Sequence, residues 1–416
     1  MTSIAPTIKS ERLKNLLAGI NQFGLNPVTG GFNRIGFSQS DFDAREWLSA
    51  QMKGDGLSVT SDDAGNLFGR YGRSDRPCIM AGSHTDTVPE GGAFDGALGV
   101  SVALECARCL IEHDIEPDFP LVVVSTSEEE GRFGGMLGSQ TISGQLAPGW
   151  VRSAVDAEGF SLLNGMAHHG LDPDALPDAA WPEGSIRAFL ELHIEQGPVL
   201  ETEQLSVGIV EAISGVCNLA VTLTGVANHS GTTPMTMRAD AFAGLSMVGS
   251  AIPDVIDRVG TDHSRVTIGK VEIRPNFPHT VPGVAEFMVN IRDNSAAVMA
   301  DLRREIETAI KLASKSHGLS YRIKDQSYLP PDSLDPALRA LLQEEASRLG
   351  LSHKVMPSGA GHDAQTIQAF CPSGLIFVPS HKGISHSPEE WTDWEHIEKG
   401  AQLMLNAILR LTQEGL

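Results

Sequence analysis

The sequence predicts an α/β protein made of two domains, one inserted into the other. Three observations predict it. At 416 residues the chain is too long for one ordinary core. Apolar, β-branched runs such as Pro120-Leu-Val-Val-Val-Ser-Thr126 alternate with amphipathic helical segments towards both ends. From about 214 to 327 the texture changes to strand, helix, strand, strand, helix, strand. That order is the split βαβ of a ferredoxin-like sheet.

Taken in order, residues 8–24 and 40–54 read as amphipathic helices. Ser38 or Ser40 can cap the second, and Asp41 and Asp43 suit its first turn. Strands are expected near 57–60, 66–71, 78–83 and 120–126, with a helix from 97 to 113. Residues 145–185 are rich in Pro, Gly, Asp and Ala, with short helical pieces. Phe189–Ile194 alternates as a strand does, and 206–213 is another. The changed stretch gives strand 216–225, helix 238–258, strands 264–273 and 284–293, helix 295–317 and strand 320–325. Then come helix 335–349, strand 353–356, helix 361–369, strand 374–379 and a long amphipathic helix at 394–413. The simplest organisation joins 1–213 and 328–416 in one domain, with 214–327 inserted. There is no internal repeat and no low-complexity tract.

A hydrophobic content of 41% and a charged content of 20% fit a soluble globular protein. Against 31 basic residues stand 52 acidic ones, a net charge of −21, which argues against nucleic acid or an anionic membrane as partner. The first residues have no long apolar core, so no signal peptide is expected, and no apolar window would span a bilayer. The five cysteines are odd in number and scattered, as in a reducing, cytoplasmic setting. Cys106 and Cys109 have CxxC spacing, but mid-helix and without a second pair they read as helix packing.

Residues Gly82–Gly99 hold the densest chemistry. His84 falls where a strand ends, and Asp95 lies in a Gly-rich loop before a helix, where ligands bind in open α/β sheets. Asp86, two residues on, is close enough to orient the His84 ring. Asp95 offers a carboxylate that can bridge two cations. After the strand ending near Ser125 come Glu128, Glu129 and Glu130, a run in which one carboxylate can serve as ligand and a neighbour as general base. His193 ends another strand, and His386 follows the strand around Leu375. Imidazoles and carboxylates at strand ends of one domain suit zinc or a similar divalent ion.

The stretches GSHTDTVPEGGAFDGALGV (82–100), EEEGRFGG (128–135), ELHIEQGPVLE (191–201), NHSGTTPM (228–235), RPNFPHTVPG (274–283), PSGAGHDAQ (357–365) and SHKGISHSPEEWT (380–392) resemble one known family. It is the amidase/hydantoinase/carbamoylase group of the zinc aminopeptidase-like metallopeptidases. The resemblance covers nearly the whole chain. It implies a catalytic domain with a central mixed sheet and helices on both faces, plus the inserted ferredoxin-like domain. It also implies hydrolysis of the carbamoyl C–N bond of an N-carbamoyl-L-amino acid to the amino acid, ammonia and carbon dioxide. Allantoate amidohydrolase and β-ureidopropionase are the alternatives, with a dipeptidase or aminoacylase further off.

Carried over residue by residue, the resemblance makes His84, Asp95, Glu130, His193 and His386 the ligands of two divalent metal ions, with Asp95 bridging. The ions are expected to be zinc, though manganese, cobalt and nickel accept the same donors. Glu129 is the expected general base, with Glu128 a rival. His229 is expected to polarise the scissile carbonyl. Asn276 and Arg292 are expected to hold the substrate carboxylate, Gln196 to contact substrate or the metal surroundings, and Gly359 and Ala360 to offer backbone N–H groups. The partners expected are a small ureido acid and a second copy of the chain, docked through the inserted domain. The family commonly has Asn where this chain has His279. His168-His169 matches no ligand motif and reads as a surface feature, and His362-Asp363 reads as a helix start.

Overall fold

The computed structural model describes residues 6–147 and 149–414. They fall into two compact units, one running up to Glu211 and again from Ser333, the other Ala212–Asp332.

In chain order the first unit opens with α1 (Ser10–Ile20), α2 (Gln39–Gly54), β1 (Ser58–Ser61), β2 (Leu67–Tyr71), β3 (Cys78–His84), α3 (Ala97–Glu112) and β4 (Leu121–Thr126). Short helices follow, α4 (Leu137–Ile142), α5 (Trp150–Ser153) and α6 (Leu162–His168), then β5 (Ile186–Ile194), α7 (Val199–Glu203) and β6 (Val207–Ile213). The second unit contains β7 (Gly215–Thr224), β8 (Asn228–His229), α8 (Ala241–Val259), β9 (Arg265–Arg274), β10 (Thr280–Val281), β11 (Val284–Asp293), α9 (Ala296–His317) and β12 (Ser320–Leu329). After β13 (Asp332–Ser333) the chain returns with α10 (Pro336–Arg348), β14 (His353–Ser358), α11 (Asp363–Gln368), β15 (Ser373–Val378) and α12 (Trp394–Glu414).

The large sheet has the order β1-β2-β4-β3-β5-β15-β6-β13, with β14 also paired to β6. It is mixed: β4, β3, β5 and β15 run parallel, whereas β1, β2 and β6 join antiparallel. Every residue of β3, β4 and β15 is buried. Full burial requires cover on both faces, which is why these strands read as unbroken apolar runs. Ile79, Ala81, Leu121, Val123, Leu190, Leu192, Ile376 and Val378 share one core with α1, α3, α10 and α12. Strand alternation turns Met80, Val122, Phe189 and Phe377 to the opposite face, which α11 and α4 cover. A smaller cluster of Phe37, Phe133, Leu137, Leu162, Met166 and Leu176 gives 145–185 a core of its own.

In the second unit β12-β7-β11-β9 form an antiparallel sheet. Cys217, Leu219, Val221 and Leu223 alternate with half-buried residues and pack with Phe287, Val289 and Ile291 against α8 and α9. β8 and β10 add a two-stranded ribbon pairing His229 with Thr280. β12 continues past 325 to Leu329 through a bulge at Asp325/Ser327. Residues 326–329 are all exposed and bury no face, so that extension left no alternating hydrophobic pattern. No helix among the described residues is long and apolar enough to cross a membrane.

Candidate metal centre

Four neighbouring parallel strands, β4-β3-β5-β15, each present a donor at or beyond the carboxyl end. His84 is the last residue of β3, and His193 is the last but one of β5. Glu130 lies in the turn after β4, and His386 lies in the loop after β15. Asp95 sits between β3 and α3.

These five side chains converge. Asp95 Oδ1 lies 3.0 Å from His193 Nε2 and 3.5 Å from His84 Nε2. Asp95 Oδ2 lies 3.3 Å from His386 Nε2, and Glu130 Oε2 lies 3.5 Å from the same nitrogen. One grouping is therefore His84, Asp95 and His193, all buried, and the other is Asp95, Glu130 and His386, with Asp95 common to both. His84 Nδ1 is 3.0 Å from the Asp86 carbonyl oxygen and His193 Nδ1 is 2.9 Å from that of Ile194. Each Nδ1 must carry its proton to make that bond, which leaves the Nε2 lone pair facing the cluster. The Gly96 N–H, 3.3 Å from His193 Nε2, agrees with that tautomer.

The expectation for Asp86 is corrected in one respect. Its carbonyl, not its carboxylate, engages the His84 ring. The carboxylate stands 3.8 Å from Nδ1 and instead accepts the N–H groups of Glu129 (3.3 Å) and Glu130 (3.1 Å), fixing the turn that carries both. Glu128 turns back into that segment, with φ +53°, and accepts from Phe133 N (2.6 Å) and Gly135 N (3.2 Å). Glu129 faces the cluster instead, its Oε2 3.6 Å from His84 Nε2.

The electrostatics are those of a crowded anionic pocket. Burial, and then the charge of Asp95, pushes the Glu130 carboxyl up to about 8. Burial, with Glu130 and Asp363 nearby, drives Glu129 well above the carboxylate range, although His84 opposes it. Burial alone would raise Asp95, yet the neighbouring imidazoles of His193, His386 and His84 hold it well below its ordinary value. The hydrogen bond to Asp95 raises His386 to about 9. Nitrogen and carboxylate donors packed this closely fit divalent cations, whose charge offsets the repulsion. The Gln196 side-chain oxygen, buried beside the cluster and without a hydrogen-bond partner among the described residues, fits the same reading.

A family profile described as peptidase family M20/M25/M40 matches residues 80–410. The chain belongs to this family. It is 35% identical to an N-carbamoyl-L-amino acid amidohydrolase of Geobacillus stearothermophilus, over 98% of this chain and 99% of that one. It is equally 35% identical to the allantoate amidohydrolase of Escherichia coli (strain K12), over 96% and 98%. The solved structure of an amidase of the hydantoinase/carbamoylase family from Burkholderia multivorans superposes with a TM-score of 0.91 at 32% identity, covering 99% of this chain and all of that one. Within M20 the chain is a member of the amidase/carbamoylase group, with that group's mixed α/β fold. It is a metal-dependent hydrolase acting on C–N bonds.

The remaining residues named from the M20 motifs fall in several places. Gln196 lies at the cluster, its amide nitrogen 2.8 Å from Asp95 Oδ2 and 3.3 Å from His386 Nε2. The Ala360 N–H, expected to be free, donates to Ser358 Oγ (3.1 Å), since the helix starts only at Asp363 and 359–362 bend between it and β14. Gly359 lies in that bend. His229, Asn276 and Arg292 belong to the second unit. His229 is exposed on β8, and its Nδ1 accepts from Gly231 N (3.0 Å) and Thr232 N (3.2 Å). Asn276 is exposed with φ +53°, two residues after Arg274 and its cis peptide bond to Pro275. Arg292, half-buried on β11, donates from Nε to Asn290 Oδ1 (3.1 Å).

A third possible grouping, Glu191, His193 and His362, is accounted for by hydrogen bonding. Glu191 accepts from Ser83 Oγ (2.6 Å) and Ala364 N (2.9 Å), and His362 Nε2 lies 2.9 Å from Ser358 Oγ. His169 stacks on Phe42 at 3.5 Å, which is packing. Sequence reasoning missed Glu390 and Ser385, both hydrogen-bonded around Asp95. The SHSPEEWT stretch was their only signal.

Proposed function

We propose that this enzyme hydrolyses the carbamoyl C–N bond of an N-carbamoyl-L-amino acid. One water is consumed, and the amino acid, ammonia and carbon dioxide are released. The observation that carries the reading is the convergence of His84, Asp95, Glu130, His193 and His386 into two groupings that share Asp95. These five residues would hold two divalent cations, proposed to be zinc, which when bound would supply Lewis acidity. Glu129, buried and directed at His84, takes the proton of the attacking water and passes it to the departing nitrogen. His229 bears its proton on Nε2, since Nδ1 accepts two backbone N–H groups, and so can donate to the developing oxyanion. Arg292, oriented by Asn290, and Asn276 hold the substrate carboxylate. Gln196 completes the substrate surroundings.

Allantoate is the second candidate substrate, favoured by the equal 35% identity to an allantoate amidohydrolase. The test is ammonia release from a panel of N-carbamoyl-L-amino acids, allantoate, β-ureidopropionate and dipeptides, with zinc, manganese, cobalt or nickel restored to stripped protein. The expected result is the highest kcat/KM on a carbamoyl amino acid. A higher value on allantoate selects the second substrate, and cleavage of dipeptides alone overturns the reading. The five free, buried cysteines support a reducing, cytoplasmic setting. The proposed assembly is a homodimer through Ala212–Asp332. Light scattering should give twice the chain mass, and a fully active monomer would exclude the dimer.

A further inference from the structure

Glu390 is a buried carboxylate, 4% exposed, that belongs to neither donor grouping. Its Oε1 accepts the N–H of Phe94 (2.9 Å) and of Asp95 (3.0 Å), and its Oε2 accepts the Ser385 hydroxyl (2.7 Å). It thus ties the loop carrying Asp95 to the loop carrying His386, across 295 residues of sequence. Gly92 makes room for it, since a Cβ there would stand 2.1 Å from the Glu390 carboxyl carbon.

Ser385 has one hydroxyl proton and two carboxylate neighbours, Glu390 Oε2 at 2.7 Å and Asp95 Oδ2 at 3.2 Å. The shorter contact takes the proton. Asp95 Oδ2, which already accepts the Gln196 side-chain N–H (2.8 Å), is thereby spared a second hydrogen bond and keeps a lone pair for the side it shares with His386 and Glu130. That side needs the help. The His386 side chain is 49% exposed and its φ is +54°, whereas His84 and His193 are buried at strand ends.

We infer that Glu390 is a positioning residue for the cation on the His386 side. It anchors the Asp95 loop and draws the Ser385 proton away from Asp95 Oδ2, so that this oxygen, with Gln196 as its one amide donor, keeps a lone pair for the ion. The inference rests on the two-cation reading above. Glu390→Gln keeps the shape but turns one acceptor oxygen into an NH2 donor. If the remaining oxygen keeps the Phe94 and Asp95 N–H groups, the NH2 faces Ser385. Ser385 must then give its proton to Asp95 Oδ2, in competition with the ion. Adding Ser385→Ala removes that proton.

The test titrates metal-stripped full-length protein with Zn2+ against a competing chelator, and follows Co2+ absorption for each site. Wild type, Glu390→Gln and Glu390→Gln/Ser385→Ala are compared. The wild type should bind two ions. Glu390→Gln should hold one ion nearly unchanged and the other about 10- to 100-fold more weakly. The double variant should recover most of that loss. Two ions bound by Glu390→Gln with wild-type affinity, equal weakening of both, or no recovery in the double variant would each overturn the inference. A wild type that binds a single ion would instead sink the two-cation reading, and this inference with it. Should Glu390→Gln fail to fold by circular dichroism, Glu390→Asp, which keeps the charge but shortens the reach, should show the same selective weakening, and unchanged binding of both ions would overturn the inference.

Discussion

Glu129 lies buried with its Oε2 3.6 Å from His84 Nε2, in a turn whose N–H groups Asp86 holds. Its neighbours divide the work: Glu128 braces the turn, and Glu130 faces His386. Three consecutive glutamates look alike in sequence, and the backbone decides which points where. Glu129→Gln removes the proposed proton acceptor but keeps size and backbone. It should lower kcat by about 10²- to 10⁴-fold, the usual worth of a general base, with metal content unchanged. Steady-state ammonia release with metal analysis of the same preparation checks this, and retained turnover would remove the mechanism. The same scale shows where motif reading stopped short. The pair His84/Asp86 was legible, but that the carbonyl, not the carboxylate, meets the ring depends on how β3 ends.

The strand ends place the donors, and the loops between strand and helix aim them. β3 leads into the Asp95 loop, where Gly96 has φ +61° just before α3. A Cβ on Gly96 would stand 2.4 Å from the His84 ring. Gly96→Ala should therefore destabilise the fold by about 1–3 kcal/mol through its backbone conformation alone. It should also displace His84 and weaken metal binding. Chemical denaturation and Zn2+ titration of the variant read the two effects separately. The element boundaries were legible wherever burial was two-sided or helical periodicity was long, as in β3, β4, α9 and α12. They were less so at α11, where a six-residue helix follows a turn, and at β12, whose edge position leaves its side chains polar. A hydrophobic pattern exists only where a face is buried.

Across the whole molecule, candidate ligands at β3, β4, β5 and β15 and in their loops, from parts of the sequence before and after the inserted segment, meet in one cluster. Ions bound there would hold together parts of the chain far apart in sequence and would offset the repulsion among Asp95, Glu129 and Glu130. Stripping with a chelator should lower Tm, and restoring Zn2+ should raise it. The gain should be about 2.7 kcal/mol at a hundredfold excess over Kd, because only the folded chain assembles the site. A Tm indifferent to metal would speak against the site. The sequence by itself determined the α/β class, the texture of the inserted segment, the family and the five candidate ligands. Those rest on local patterns of residue type and spacing. Only the tertiary structure decided that Glu128 turns away from the cluster, that Asp86 braces a turn, that the Ala360 N–H is already engaged and that Glu390 links two loops. Those depend on contacts between residues tens to hundreds of positions apart or on the direction of a single side chain, and neither leaves a periodic trace in the chain.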